Sequence, residues 1–286
     1  MSSPGDFAVN VDQGELYCAP NGPSFPPVMD PRPILLVTQY DGGRFSGWQR
    51  QPTARTIQGE MERVVGRLCN QPVAVIGAGR TDAGVHAHGQ GAGVRVPTTW
   101  TAARLRHAVN ALLPDDIWVA QARRMVVDFH PRRSATARRY RYLLGTDDAA
   151  RSPFRRRFEW AIQHPLDGEA MHAEAALLYG EHTFRAFAVA HTAPIDDHHR
   201  CIVRTATWRK SDGGWVFEIE ANRFLHHMVR FLVGTMVDVG LGRRPRGTIA
   251  RLLEASTNSE TSTPAPAHGL SLYQVTYPDT FYEIEL

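Results

Sequence analysis

Hydrophobic periodicity between residues 34 and 125 limits the possible folds of this chain more than any other feature. ILLVTQY predicts a strand, TIQGEMERVVGRL an amphipathic helix, and PVAVIGAG a second strand. Residues 90–96 predict a third strand, TAARLRHAVNALL a second helix, and IWVAQARRM a fourth strand. This β-α-β-β-α-β order is that of a ferredoxin-like unit.

The second half of the chain contains comparable elements. ARRYRYLLG, WVFEIEA and GLSLYQVTYP predict strands, DGEAMHAEAALLYG a helix, and NRFLHHMVRFLVGTMVDVG a long apolar helix that begins near Asn222. We therefore predict an α+β protein of two similar ferredoxin-like halves, residues 34–127 and 128–286. Their sheets are expected to be mostly antiparallel, with an active-site cleft between the halves. Residues 1–33, rich in Pro and Gly, predict a flexible N-terminal extension.

Length and composition indicate the class of protein. A chain of 286 residues with 43% hydrophobic content can bury a substantial core. The sequence has no run of eighteen apolar residues, and its N-terminus lacks the pattern of a secretory signal, so we expect a cytoplasmic protein with no membrane association. Its three cysteines show no CxxC spacing, which argues against a disulfide framework or a thiolate zinc site.

Positive charge is concentrated in one segment. The formal net charge is only +3, yet residues 123–157 contain eleven arginines against three acidic residues. Such a segment is either a solvated face or a phosphate-binding surface, because guanidinium groups bind phosphate oxygens in a bidentate manner. Charge alone leaves both interpretations open.

A carboxylate lies among glycines in GAGRTDAGVHAHG, residues 77–89. A dinucleotide-binding loop requires a third glycine where this chain has Asp82, and a carboxylate there would repel a pyrophosphate. Two interpretations remain. In the first, the Asp82 side chain forms hydrogen bonds with the backbone of its own turn. In the second, Asp82 is a catalytic carboxylate on a loop whose glycines allow a bulky substrate to approach.

The predicted apolar helix FLHHMVRFLVGTMV contains one arginine, Arg230, which shares a helical face with His226 and Gly234. Burial of an unpaired guanidinium is costly, so a carboxylate should meet it, and Asp82 from the other half would serve. The alternative is that Arg230 extends along the helix to reach solvent.

Five motifs occur in order along residues 34–278: YDGGRFSGWQRQ (40–51), GAGRTDAGVHAHGQ (77–90), FHPRRSATARRYRYLL (129–144), ANRFLHHMVRFLVGT (221–235) and APAHGLSLYQVTYP (265–278). Together they resemble the signature blocks of the TruA-type tRNA pseudouridine synthases. The resemblance implies that uridine is converted to pseudouridine at positions 38 to 40 of the tRNA anticodon arm. It also implies a homodimer that uses no cofactor and no metal.

The resemblance also assigns roles to individual residues. Asp82 corresponds to the catalytic aspartate, Arg230 to the arginine that pairs with it, and Tyr140 to the tyrosine that stacks on the target uracil. Asp82 would act as a nucleophile or as a base, and the sequence does not choose between these routes.

Further residues are expected to bind the RNA. Arg80 resembles the arginine that enters the RNA stack beside the flipped base. Leu270, or alternatively Leu272, is expected to form an apolar wall under the uracil. The arginine-rich segment then becomes the RNA track, represented by Arg132, Arg133, Arg138 and Arg139.

Two other functions compete with this hypothesis. The first is a metal-dependent hydrolase, which is disfavoured because the histidines lack an HxxxH helix or a carboxylate–histidine motif. Its candidate ligands are His86, His88, His198, His199, His226 and His227. The second is a non-catalytic RNA-binding protein of the same fold, which would not need the Asp82 carboxylate.

Overall fold

The computed structural model describes residues 31–189, 192 and 199–283, so the predicted N-terminal extension up to residue 30 lies outside it, as does His198. Within the described residues the chain forms ten strands and five α-helices. The strands are β1 (Arg32–Tyr40), β2 (Val75–Gly77), β3 (His86–Val96), β4 (Ile117–Arg124), β5 (Ala137–Gly145), β6 (Trp160–Ala161), β7 (Gly180–Thr183), β8 (Arg200–Ser211), β9 (Gly214–Ala221) and β10 (Leu270–Thr276). The helices are α1 (Ile57–Cys69), α2 (Ala102–Asn110), α3 (Gly168–Ala176), α4 (Met228–Gly240) and α5 (Thr248–Leu253).

These strands pair in the order β4-β1-β3-β10-β5-β9-β8-β7, with β2 attached to β3 and β6 attached to β5. The pairs are antiparallel except for β3 with β10 and β5 with β6. The prediction of an α+β protein with a mostly antiparallel sheet is therefore confirmed. Because β10 pairs with both β3 and β5, it joins strands β1 to β4 and strands β5 to β9 into one sheet.

The first two helices begin at threonines that satisfy otherwise unpaired backbone N–H groups. The Thr56 hydroxyl accepts a hydrogen bond from the Gly59 amide, and the Thr101 hydroxyl accepts one from the Arg104 amide, each at 3.2 Å. Helix α1 ends at Asn70, which adopts the left-handed conformation with φ of 51°. Both helices thus form where the apolar periodicity predicts them.

The long apolar helix begins later than the sequence predicts. Asn222 does not cap it; instead its side-chain oxygen accepts a hydrogen bond from the Ile202 amide at 2.9 Å, on the neighbouring strand. The helix starts at Met228, after His227 has turned into the left-handed region with φ of 61°. Residues 222–227 consequently form a loop that carries two adjacent histidines.

Strand β8 has no counterpart among the predicted strands. Its buried side chains include Cys201, Val203 and Ala206, which do not keep a strict period of two. The reason is a register shift between Val203 and Thr205 in the pairing with β9, because a bulge moves the following side chains to the opposite face.

Helix α4 is apolar on nearly every side, and other elements cover it on nearly every side. It contacts α3 and α5, and only Arg230 and Asp238 among its residues are not buried. A Cβ atom at Gly234 would lie 2.2 Å from the Thr263 carbonyl oxygen, so glycine allows the segment before β10 to cross the helix closely. Among the described helices, none has the length and hydrophobicity needed to cross a membrane.

Candidate active site

A cavity of about 930 Å³ opens where β3 and β10 begin. Three loops supply much of its wall, and we name them the Asp82 loop (residues 78–85), the arginine loop (residues 130–136) and the histidine loop (residues 222–227). Helix α4 contributes Arg230 to the same wall. Segments far apart in the sequence thus converge on one concave site, the usual setting of a binding pocket.

The Asp82 loop is held at several points along its backbone. The Ala78 amide donates to the Gly91 carbonyl at 2.7 Å, and the side-chain amide of Gln90 donates to the Gly79 carbonyl at 2.8 Å. The hydroxyl groups of Tyr40 and Thr81 lie 2.8 Å apart, within hydrogen-bonding distance. These bonds fix the loop, so the Asp82 side chain projects from a rigid support.

Glycines of the YDGGRFSGWQRQ motif allow this support to pack closely. A Cβ atom at Gly47 would lie 2.7 Å from the Thr81 carbonyl oxygen, and one at Gly42 would lie 2.0 Å from the Val85 carbonyl oxygen. Gly47 also has a φ of 89°, which favours glycine. The next amide, that of Trp48, donates to the Thr81 carbonyl at 3.0 Å. The motif therefore packs against the backbone of the Asp82 loop both before and after Asp82.

Asp82 and Arg230 meet in the cavity although 148 residues separate them. Arg230 Nη1 donates to Asp82 Oδ2 at 3.2 Å, and Arg230 Nε donates to the Ala265 carbonyl at 2.8 Å. The two side chains are 17% and 18% exposed, so the pair is largely removed from water yet open to a ligand. Arg230 thus orients the carboxylate while its own position is fixed by the segment before β10.

Two histidines complete the surroundings of the carboxylate. His226 Nε2 lies 3.5 Å from Asp82 Oδ1, and His227 Nε2 lies 3.4 Å from Asp82 Oδ2. Burial lowers the pKa of the His227 imidazole and so favours its neutral form, with Asp82 acting in the opposite direction. The sequence places both histidines three and four residues before Arg230, and this spacing is the signal that they lie beside its partner.

Asp82, His226 and His227 are a possible metal-ligand set, since one ligand atom from each lies within 4.8 Å of the others. Six arginines line the same cavity, however, and Arg230 already contacts the carboxylate. Such a concentration of guanidinium groups disfavours a divalent cation and favours an anion. His86 and His88, two other candidate ligands, lie on β3, and His86 is tied to the Arg157 carbonyl at 3.1 Å.

Tyr140 and Leu270 supply apolar surface to the cavity. Both are buried, at 8% and 4% exposure, and both line the cavity wall. Tyr140 packs edge-on against Phe224 with ring centroids 5.0 Å apart, and burial raises the pKa of its phenol, which stays neutral. Leu272, the alternative to Leu270, is fully buried opposite Tyr140 in the sheet. The geometry therefore favours Leu270 as the apolar wall.

The arginines expected to bind the RNA lie in three different settings. Arg80, Arg132 and Arg133 are exposed and line the cavity. Arg139 forms an ion pair with Glu220 at 2.7 Å on the other side of the strand from Tyr140.

The prediction that Arg138 contacts phosphate needs correction. Arg138 is 8% exposed, and its terminal nitrogens donate to four backbone carbonyls, so no terminal N–H remains for a phosphate. The sequence could not separate it from its neighbours because adjacent strand residues differ only in the face to which they point.

Comparison with known proteins supports the resemblance seen in the sequence. A family model described as tRNA pseudouridine synthase matches residues 36–132 and 175–278, which include Asp82, Arg230 and Leu270. A protein named tRNA pseudouridine synthase A from Chlorobaculum tepidum is 42% identical over 247 residues, covering 86% of this chain and 98% of that protein. One of the same name from Shewanella amazonensis is 41% identical over 260 residues, covering 87% and 94%.

A third relative of that name, from Escherichia fergusonii, is 39% identical over 256 residues and covers 87% of this chain and 91% of that protein. The similarity thus spans the loops, strands and helix that build the cavity, not an isolated motif. Because the family model matches more than half of the chain and each of these relatives is matched over most of its length, the chain belongs to the tRNA pseudouridine synthase family and is an isomerase.

Proposed function

We propose that this protein converts uridine to pseudouridine in tRNA, at positions 38 to 40 of the anticodon arm. The observation that carries the proposal is the Asp82 carboxylate held by Arg230 at 3.2 Å inside a cavity lined by arginines. A carboxylate is the reactive group, and the surrounding cations suit a polyanionic substrate. A protein that only bound RNA would gain nothing from a negative charge at this place.

The reaction is an internal rearrangement of the nucleotide. The bond between N1 and C1′ breaks, the uracil turns, and a bond forms between C5 and C1′; the C5 proton is lost and N1 gains a proton. Substrate and product are isomers, so no oxidant or reductant is consumed. Asp82 serves as nucleophile at C1′ or as base at the ribose, and Arg230 keeps its carboxylate oriented.

The remaining side chains bind the nucleotide in this proposal. A base in a stem must leave the stack before its glycosidic bond can be reached. Tyr140 stacks on the extruded uracil, Leu270 supports its other side, and Arg80 takes the place that the base leaves in the RNA. Arg132 and Arg133, exposed at the cavity edge, bind the adjacent phosphates.

We further propose that the sheet consists of two ferredoxin-like halves with the cleft between them. The strand orders β4-β1-β3-β2 and β10-β5-β9-β8 support this. If the four strands of each half are numbered in chain order, both halves have the spatial order 4-1-3-2, which is that of a ferredoxin-like sheet. The boundary at residues 127 and 128 then falls between β4 and β5. A cytoplasmic homodimer is part of the same proposal and rests on the family resemblance.

The decisive experiment maps pseudouridine in tRNA from cells with and without the gene. Loss confined to positions 38 to 40, restored by the wild-type gene and not by the Asp82→Asn gene, is the expected result. Loss at other positions would contradict the anticodon-arm assignment. Binding of tRNA by purified protein without any pseudouridine formation would favour the non-catalytic alternative.

The exposed arginines are expected to determine the salt dependence of tRNA binding. Replacing Arg132 and Arg133 by glutamine should make the slope of log affinity against log salt shallower by about one counterion for each lost phosphate contact. Filter binding or fluorescence anisotropy over a range of KCl concentrations measures this slope. The matched control replaces Arg209 and Arg243, which are paired with Glu218 and Asp238 outside the cavity, and should leave the slope near that of wild type. Equal slopes in wild type and the Arg132/Arg133 variant would show that the arginine loop does not bind phosphate.

Catalysis is expected to persist after complete removal of metals. The reaction proposed for Asp82 needs no Lewis acid, and the arginine-lined cavity disfavours a divalent cation. Protein dialysed against EDTA should therefore convert tRNA at the rate of untreated protein, provided that the tRNA is folded before the assay. Loss of turnover that zinc restores would instead favour the metal-dependent alternative.

A further inference from the structure

Arg138 contacts each of the three loops that form the cavity wall. Its Nη1 donates to the Ala135 carbonyl at 3.0 Å and to the Asn222 carbonyl at 2.8 Å. Its Nη2 donates to the Ala78 carbonyl at 3.0 Å and to the Arg132 carbonyl at 2.6 Å. Ala78 belongs to the Asp82 loop, Arg132 and Ala135 to the arginine loop, and Asn222 to the histidine loop.

This side chain is an unusual one to bury. In the described part of the chain Arg138 forms no ion pair with a carboxylate, and its four terminal N–H groups are used on carbonyls. A guanidinium is tolerated in such a place when its donors are satisfied. Its planar fork also fixes the directions of several acceptors at once, which an ammonium group does not.

We propose that Arg138 is a positioning residue for the isomerisation. Its guanidinium holds the three loops in fixed relative positions, so that Asp82, four residues after Ala78, stays in contact with Arg230 while the arginine and histidine loops face the substrate. This inference rests on the proposed function of the cavity. It assigns to Arg138 an effect on turnover rather than the phosphate contact that its sequence position indicates.

The geometry explains why turnover should depend on it. The backbone carbonyl of Ala78 is held by Arg138 on one side, while the amide of the same residue is held by Gly91. Without the guanidinium, three loops lose their common partner and can shift relative to α4. A displacement of about 1 Å at the reacting group costs about a hundredfold in rate.

The test uses chemical rescue of the Arg138→Ala protein. Its kcat on tRNA is expected to fall about a hundredfold while its Kd for tRNA changes less than about threefold. Guanidinium chloride at about 20 mM, far below denaturing concentrations, should enter the vacated space and raise kcat at least about tenfold. Urea at the same concentration has no charge and should not restore the rate. Ionic strength is held constant with KCl, and wild type is measured under each condition.

Arg138→Lys tests whether turnover depends on the hydrogen-bonding geometry of the guanidinium or only on its charge. It also provides a second variant if Arg138→Ala does not fold. It keeps the charge but cannot reach four carbonyls, so its kcat should stay at least about tenfold below wild type with nearly normal tRNA binding. Arg209→Ala is the matched control, since its side chain pairs with Glu218 outside the cavity; it should be nearly as active as wild type and indifferent to guanidinium.

Several results would overturn the proposal. One is wild-type turnover of Arg138→Lys. For Arg138→Ala, they are a fall in tRNA affinity that accounts for the whole loss of activity, or an absence of rescue in the folded protein. Failure of both variants to fold would also overturn it. A wild-type protein that forms no pseudouridine would contradict the proposed function itself. Normal turnover in both wild type and the variants would contradict only the role of Arg138.

Discussion

Asp82→Asn is expected to reduce pseudouridine formation by at least about a thousandfold while leaving the fold and tRNA binding intact. The amide has the shape of the carboxylate, so it can still lie beside Arg230 and the two histidines. It lacks the negative charge that a nucleophile or base requires. Single-turnover assays with enzyme in excess over tRNA measure the chemical step directly, and thermal unfolding and anisotropy check the fold and binding.

The control for this substitution is Asp128→Asn, the same chemical change at an exposed residue outside the cavity. It should turn over like wild type. If Asp82→Asn formed pseudouridine at more than a trace, Asp82 would not be the reactive carboxylate. If it lost tRNA binding to the same extent as activity, the carboxylate would instead have a structural role in the loop.

Arg230→Met is expected to have the second largest effect, a fall in kcat of about a hundredfold or more. Methionine is a good helix former of similar length, so α4 should persist and the midpoint of thermal unfolding should stay within about 5 °C of wild type. The carboxylate of Asp82 loses the partner that orients it, and the segment at Ala265 loses its contact with the guanidinium. Stopped-time assays at saturating tRNA measure kcat independently of binding.

Arg243→Met tests whether the loss is specific to this position. Arg243 follows α4, is exposed, and pairs with Asp238 rather than with a cavity residue. It should keep wild-type turnover, because exposed ion pairs contribute little to stability and this one is outside the cavity. Wild-type kcat in Arg230→Met would contradict the functional importance of its contact with Asp82.

Local sequence patterns predicted several parts of this protein correctly. Strand β5 occupies the residues ARRYRYLLG, and the first two helices form where apolar spacing and threonine caps predict them. The mismatch of Arg230 with its apolar surroundings predicted a carboxylate partner, and the structure places Asp82 at 3.2 Å from it. These inferences succeed because burial and capping depend on residues within one or two turns of the chain, together with the cost of an unpaired buried charge.

Other features depended on how distant segments pack together. Asparagine is a favourable helix N-cap residue, yet the side chain of Asn222 accepts a hydrogen bond from the Ile202 amide of β8, and α4 begins six residues later. That shift forms the histidine loop and places His226 and His227 beside Asp82. Local propensity could not predict it, because the competing partner of Asn222 comes from a neighbouring strand.

The sequence by itself determined the α+β class, the family and the pairing hypothesis for Asp82 and Arg230. The tertiary structure alone decided which of the neighbouring arginines are exposed to a phosphate. Arg132 and Arg133 are exposed on a loop, Arg138 points inward to four carbonyls, and Arg139 points to the opposite face, although all four lie within eight residues. The physical reason is that a guanidinium has the same charge everywhere, and only the surrounding acceptors determine whether it binds a phosphate, a carboxylate or the backbone.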